Sequence, residues 1–254
     1  MTTSPLRVII LGATSGIAFA TARLYAAEGA ALLLAGRDAA RLNAVARDLQ
    51  ARGAAAAIPF TADFVAEADP SARLTEMAAA LGGVDHILLA YGSLGDQAAE
   101  TEDRTRAAHS FAVNFSSPAL WILAGANLIE RQGHGSLVVL GSVAGDGGRR
   151  ANYVYGAAKA GLATLVEGIA HRFGRSDGPR GLRAVIVKPG PTRTAMTAGM
   201  QRDGPLWAEP AEVAALVRRA AERGGSVVYA PSRWRWIMLV IRNMPANIFN
   251  KMNI

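Results

Sequence analysis

The chain has 254 residues, 51% of them hydrophobic and 19% charged, enough apolar mass to bury the core of one full α/β domain. It has no cysteine, which excludes disulfides and thiolate metal sites, and its four histidines, His86, His109, His134 and His171, never fall at metal-ligand spacing, so no metal site is expected. Much of the arginine behind the net charge of +7 lies at 149–150, 172–193, 218–223 and 233–242 without any nucleic-acid motif. An anionic small ligand or lipid surface is therefore expected, and no nucleic acid.

The first stretch, "MTTSPLRVIILGATSG", has too short an apolar run for a signal peptide, and no window approaches the roughly eighteen uninterrupted apolar residues of a membrane span. A soluble or peripheral protein is expected. Seven short apolar runs follow in order: "RVIILGA", "ALLLAGR", "AAAIPF", "VDHILLAYG", "GSLVVLGS", "LRAVIVKPG" and "SVVYAP". Between them, residues 15–28, 39–52, 70–81, 103–131, 153–173 and 210–223 have the length and pattern of helices. Strict alternation of strand and helix implies right-handed crossovers and a single parallel sheet of about seven strands, doubly wound, with helices on both faces. Two stretches depart from it, a loop at 191–208 and a tail after Pro231. The division expected is a dinucleotide-binding and catalytic domain over 1–231 and a basic, aromatic, amphipathic tail over 232–254.

The first strand runs into "LGATSGIA", where Gly12 and Gly16 let the backbone turn tightly against a pyrophosphate held at a helix N-terminus. The spacing is G-x-x-x-G-x-A, with Ala18 as the third small residue, and Thr14, Ser15 and Ile17 complete the turn. The second strand ends "LAGRD", with Gly36 where an acidic group would bind ribose hydroxyls and Arg37 next, a group able to clamp a ribose phosphate. NADP(H) is favoured, with NAD(H) open, as is the reading that Arg37 and Asp38 cap the next helix.

In "RRANYVYGAAKAGL", residues 149–162, Tyr155 and Lys159 stand one helical turn apart and share a face. Tyr153 sits roughly 200° away on the wheel and is expected to pack. A tyrosine with a pKa of about 10 needs a nearby cation to exchange protons at neutral pH, which Lys159 supplies.

Together with Ser142 after the fifth strand, Asn114 in "FAVNFSSP" and the glycine turn, this set resembles the short-chain dehydrogenase/reductase family, a Rossmann-type fold, over nearly the whole chain. The resemblance implies that Tyr155 exchanges a proton with the substrate oxygen, that Ser142 holds that oxygen, that Lys159 also binds the nicotinamide ribose and that Asn114 orders a water linking Lys159 to solvent. It also implies that Asp63 in "TADF" binds the adenine amino group. The segment "KPGPTRT", 188–194, resembles the family's nicotinamide turn, with Pro189, Gly190, Thr192 and Thr194 as contacts. The usual N-N-A-G is replaced by "LAYG", 89–92; Gly92 is kept, and Tyr91 is expected to line the cofactor cleft.

Three segments, 90–96, 149–162 and 227–254, are similar to the decaprenylphosphoryl-2-keto-erythro-pentose reductase subgroup. That implies reduction of a keto group on a polyprenyl-phosphate-linked pentose, after oxidation by a separate flavoenzyme as partner. Arg149 and Arg150, between Ser142 and Tyr155, would then grip the substrate phosphate; a solvated pair is the alternative. The aromatic, basic tail suits a membrane interface or a packed extension. A soluble reductase of another ketone and a non-catalytic NADP-binding scaffold stay open. The resemblance further implies a homodimer or homotetramer built on the helices at 103–131 and 153–173. The cytoplasm, with peripheral contact at the inner face of the plasma membrane as a variant, is the location expected.

Overall fold

A computed structural model describes residues 4–174, 181–200 and 204–252. Arg175, Arg180, residues 201–203 of the 191–208 loop and the last two residues of the tail lie outside the described residues. Seven parallel strands form one sheet: β1 (Arg7–Leu11), β2 (Ala31–Gly36), β3 (Ala56–Thr61), β4 (His86–Leu89), β5 (Gly135–Leu140), β6 (Leu182–Pro189) and β7 (Val227–Ala230), in the order β3-β2-β1-β4-β5-β6-β7. The order reverses between β1 and β4, which pair with Ile9 beside Ile87 and Leu11 beside Leu89. That reversal opens the crevice in which such sheets take ligands.

Every residue of β2 and β5 is buried, as a sheet covered on both faces requires. One apolar layer packs α1 (Gly16–Ala27), α2 (Ala39–Ala51) and α8 (Pro210–Arg223) on the sheet through Ala22, Leu42 and Val217. The other packs α3 (Pro70–Ala80), α6 (Ser117–Gln132) and α7 (Tyr153–Phe173) through Leu74, Trp121 and Leu162.

The helix expected over 103–131 is not one element. Asp96 and Asp103 accept backbone N–H bonds from residues two and three positions on and so start two short helices, α4 (Gln97–Glu102) and α5 (Arg104–Phe111). A π turn over Ala112–Ser116 then leads into α6. The helical run Arg104–Gln132 is long and apolar enough by composition to cross a membrane, yet half of its most apolar window is buried, and Trp121 and Ile122 are fully enclosed in the core. The tail folds as α9 (Trp234–Arg242) and α10 (Ala246–Phe249). It is not a detached segment: Trp234 and Met238 on the inner face of α9 bury themselves against Val143.

Candidate active site

Gly12 has φ +90°, and a Cβ there would sit 2.8 Å from the Tyr91 backbone nitrogen, so both conformation and space admit only glycine. Gly16 opens α1, and its added Cβ would press on the Thr194 methyl at 3.1 Å. Ser15 caps α1 by accepting the Ala18 N–H, while the Thr14 carbonyl receives the Arg41 guanidinium at 3.3 Å. Ile17 packs partly buried on the core. A backbone cradle at a capped helix N-terminus fits a dinucleotide's pyrophosphate. Beyond β2, Arg37 is exposed and makes no hydrogen bond or ion pair among the described residues; Asp38 alone caps α2, accepting from the Arg41 N–H at 3.0 Å. Asp63 is exposed after β3, one oxygen accepting the Val65 and Ala66 N–H groups.

The catalytic candidates come together deeper in the crevice. Two glycines let the loop after β5 lie on α7: a Cβ at Gly145 would meet the Ala160 nitrogen and one at Gly156 the Ala144 carbonyl, each at 2.8 Å. This places Ser142 beside Tyr155, while its Oγ accepts the Ala144 N–H at 3.0 Å. Tyr155 and Lys159 are 7% and 4% exposed, with the Lys159 ammonium 5.6 Å from the tyrosine ring centre. Lys159 Nζ donates to the Leu140 carbonyl at 3.1 Å. Asn114, fully buried in the π turn, accepts the Ser93 N–H at 2.9 Å and donates to the Ser110 carbonyl at 3.0 Å. Gly92 separates it from Lys159, since a Cβ there would lie 2.9 Å from Asn114 Oδ1 and 3.5 Å from Lys159 Nζ.

The electrostatics differ from the sequence expectation that Lys159 would pull Tyr155 down. Burial pushes the Tyr155 phenol up to about 12, opposed by the Ser142 hydrogen bond, and burial brings the Lys159 ammonium down to about 8. Desolvation disfavours the charged form of each and is the largest cause of both shifts.

Pro189 and Gly190 are buried at the end of β6, where the Thr192 hydroxyl donates to the Gly190 carbonyl at 2.9 Å and the Thr194 N–H to the Thr192 carbonyl at 2.9 Å. A side chain on Gly190 would run into the Trp234 indole, so α9 closes over this turn. Arg149, half-buried, lays its guanidinium on the Met238 sulfur at 3.4 Å, and Arg150 donates to the Met252 carbonyl at 2.6 Å. Neither arginine forms an ion pair among the described residues, and Arg149 Nε is buried without a partner.

Two tyrosines depart from expectation. Tyr153 points away from Tyr155 but does not pack: it is 43% exposed and its hydroxyl meets that of Thr101 on α4. Tyr91 borders the Gly12 turn with its backbone nitrogen and Cβ, while its ring turns away to stack on Phe64 with centroids 4.5 Å apart. Its hydroxyl donates to Ser117, which donates in turn to the Phe64 carbonyl, tying the loop after β4 to the loop after β3. A further group had no sequence signal. Lys188 and Asp146, with side chains 6% and 1% exposed, pair at 2.6 Å, and the Tyr229 hydroxyl donates to the other Asp146 oxygen at 2.7 Å. These residues come from β6, β7 and the loop that carries Ser142, and only the fold joins them.

A parallel sheet with this crevice, and a tyrosine, lysine, serine and asparagine converging on it, define a nicotinamide-dependent oxidoreductase. The chain matches the short chain dehydrogenase family over residues 7–204. It is 36% identical, over 98% of its own length and 96% of the relative's, to an uncharacterized oxidoreductase of Streptomyces coelicolor. It is 38% identical, over 96% of both, to one of Mycobacterium tuberculosis. A levodione reductase structure superposes with a TM-score of 0.77 at 26% identity, covering 88% of this chain and 95% of that one. The chain belongs to the short-chain dehydrogenase/reductase family and is an NAD(P)-dependent oxidoreductase.

Proposed function

We propose that this reductase acts on the keto group of a polyprenyl-phosphate-linked 2-ketopentose, with NADP(H), on the cytoplasmic side of a membrane and downstream of a separate flavin oxidase. The observation that carries the substrate reading is Arg149: a half-buried guanidinium that forms no ion pair among the described residues, between the catalytic serine and tyrosine. Such a group suits a phosphate. Arg37, exposed beyond β2 and without an ion pair among the described residues, supports NADP(H) in the same way.

When bound, the nicotinamide supplies a hydride. The glycine cradle at Gly12 and Gly16 would hold the pyrophosphate, Asp63 the adenine, and Gly92, Lys159 and the turn over Pro189, Gly190, Thr192 and Thr194 the ribose and nicotinamide. Ser142 Oγ–H fixes the carbonyl oxygen, and the Tyr155 phenol, protonated throughout the neutral range, gives that oxygen its proton. Lys159 steadies the phenolate left behind, and Asn114 holds the route by which a proton returns. Arg149 and Arg150 turn from the tail to the substrate phosphodiester.

The test is NADPH oxidation, followed by absorbance, with a polyprenyl-phosphoryl 2-ketopentose, NADH in parallel, and the Tyr155→Phe variant as control. Turnover is expected to fall by about 10²- to 10⁴-fold in the control. Replacing Arg149 and Arg150 with Ala should raise KM for the phosphorylated ketone about tenfold or more and leave NADPH affinity unchanged. Equal loss of cofactor affinity would overturn the arginine assignment. Turnover of small soluble ketones alone would shift the reading to the alternative that the levodione reductase likeness favours, and bound NADPH with no turnover of any ketone would restore the scaffold.

A further inference from the structure

The tail carries a surface that the reductase chemistry does not use. Residues 232–254 contain four cations, Arg233, Arg235, Arg242 and Lys251, and no acid, so more than half of the net charge of +7 sits in the last 23 residues. On α9 the two faces separate sharply. Trp234 and Met238 are 5% and 0% exposed against Val143, while Trp236, Leu239 and Val240 are 66%, 53% and 63% exposed on the opposite side. Ile248 on α10 adds another exposed apolar group. Arg233 pairs with Glu212 at 3.5 Å, but Arg235, Arg242 and Lys251 have no ion pair among the described residues. Arg235 instead lies over the Trp236 ring at 5.8 Å. A recess of about 420 Å³ bordered by Tyr229, Arg235, Trp236, Leu239 and Arg242 sets two guanidinium groups beside the apolar surface.

An exposed tryptophan among aliphatic side chains, flanked by arginines that form no ion pair among the described residues and free of acids, matches an anionic bilayer: rings and aliphatic groups enter the headgroup boundary and guanidinium groups meet phosphate. A second copy of this chain would have to bring the missing carboxylates, and an apolar protein partner would leave the cations unused. We infer that the outer face of α9, with Trp236, Leu239, Val240, Arg235 and Arg242, docks the protein on anionic membrane surfaces. The inner face of the same helix lies against Val143, next to Ser142, and over Gly190. Docking therefore holds the candidate active site about one helix diameter, ~10 Å, from the lipid.

This inference does not require the proposed substrate, because vesicles without any keto sugar test it. The full chain is sedimented with phosphatidylcholine vesicles and with vesicles containing a third phosphatidylglycerol. Binding to the second kind only, weakened by salt, is the expected result. Two variants, Trp236→Ser with Leu239→Ser, and Arg235→Glu with Lys251→Glu, should each lower the partition coefficient, the charge pair by about 25-fold or more at roughly fivefold per cation. NADPH binding, measured alongside, confirms that each variant is folded. Failure of the wild-type chain to bind anionic vesicles overturns the inference. So does light scattering in which the apolar variant loses an oligomer while its vesicle binding is unchanged, which would make this face an interface between copies.

Discussion

Lys159 owes its behaviour to where its ammonium lies. At 4% exposure, burial lowers its pKa from 10.5 to about 8, so the cation is fully present below that value and lost as pH rises through it. Tyr155, held up at about 12, keeps its proton over the whole interval and contributes no break of its own. Since the proposed chemistry needs the lysine as a cation and the tyrosine as an acid, kcat/KM for ketone reduction is expected to be level below about pH 8 and to fall above it. The measurement is a pH profile with a fixed ketone and saturating NADPH. A profile that stays level well above that pH would show that the charge of Lys159 is not required in this direction. The residue pattern Tyr155, Lys159, Ser142 and Asn114 was legible in the sequence because helix periodicity and strand ends place each one. The direction of the pKa shifts was not, because it depends on how completely the fold desolvates them.

Among the elements, the loop between β5 and α7 is pinned from two sides. Gly145 and Gly156 let it touch α7, and the Asp146 carboxylate binds Lys188 at the end of β6 and Tyr229 on β7. Burial, helped by the Asp146 hydrogen bond, raises the Tyr229 phenol to about 12, so it serves as a fixed donor. Asp146→Ala would leave the buried Lys188 ammonium only the partly exposed Glu167 carboxylate at 4.0 Å, a loss of up to about 3 to 5 kcal/mol. For a chain of this size that lowers Tm by about 10 °C. Joint replacement by Asp146→Leu and Lys188→Met should recover most of it, as calorimetry can show; no recovery would mean that the hydrogen bonds of Asp146, and not the unpaired charge, set the cost. This pin was invisible in the sequence, where its members lie 42 and 83 residues apart. All seven strands were legible, because a sheet covered on both faces demands unbroken apolar runs such as "ALLLAG". The break at 103–131 was not. Asp103 is a helix start inside an otherwise helical pattern, and a π turn has no composition of its own, so Asn114 was legible as a residue but not as part of a distortion that points its amide between Ser93 and Ser110.

Across the whole molecule, two of the regions that expose apolar groups differ in chemistry. The tail sets them beside Arg235 and Arg242, which form no ion pair among the described residues. The second region, on α6 and α7, sets apolar and small side chains beside a few charges, Glu130 paired with Arg172 and the exposed Glu167: Leu120 and Leu123 are 56% and 38% exposed on α6, and the neighbouring α7 presents Ala157, Thr164 and Gly168, the last with open space around it. Small residues let a second helix pair approach closely, and a two-fold axis through such a patch lets it cover itself. Members of this family typically form homo-oligomers, and we propose the α6 and α7 patch as the contact between copies. Leu120→Glu with Leu123→Glu puts like charges opposite each other across the axis, so light scattering should show the wild-type oligomer reduced to protomers. Because Trp234, Met238 and the outer face of α9 lie on the tail, the same variant should still sediment with anionic vesicles. Loss of both properties together would mean that the two surfaces act as one. Retention of the oligomer would move the contact between copies away from α6.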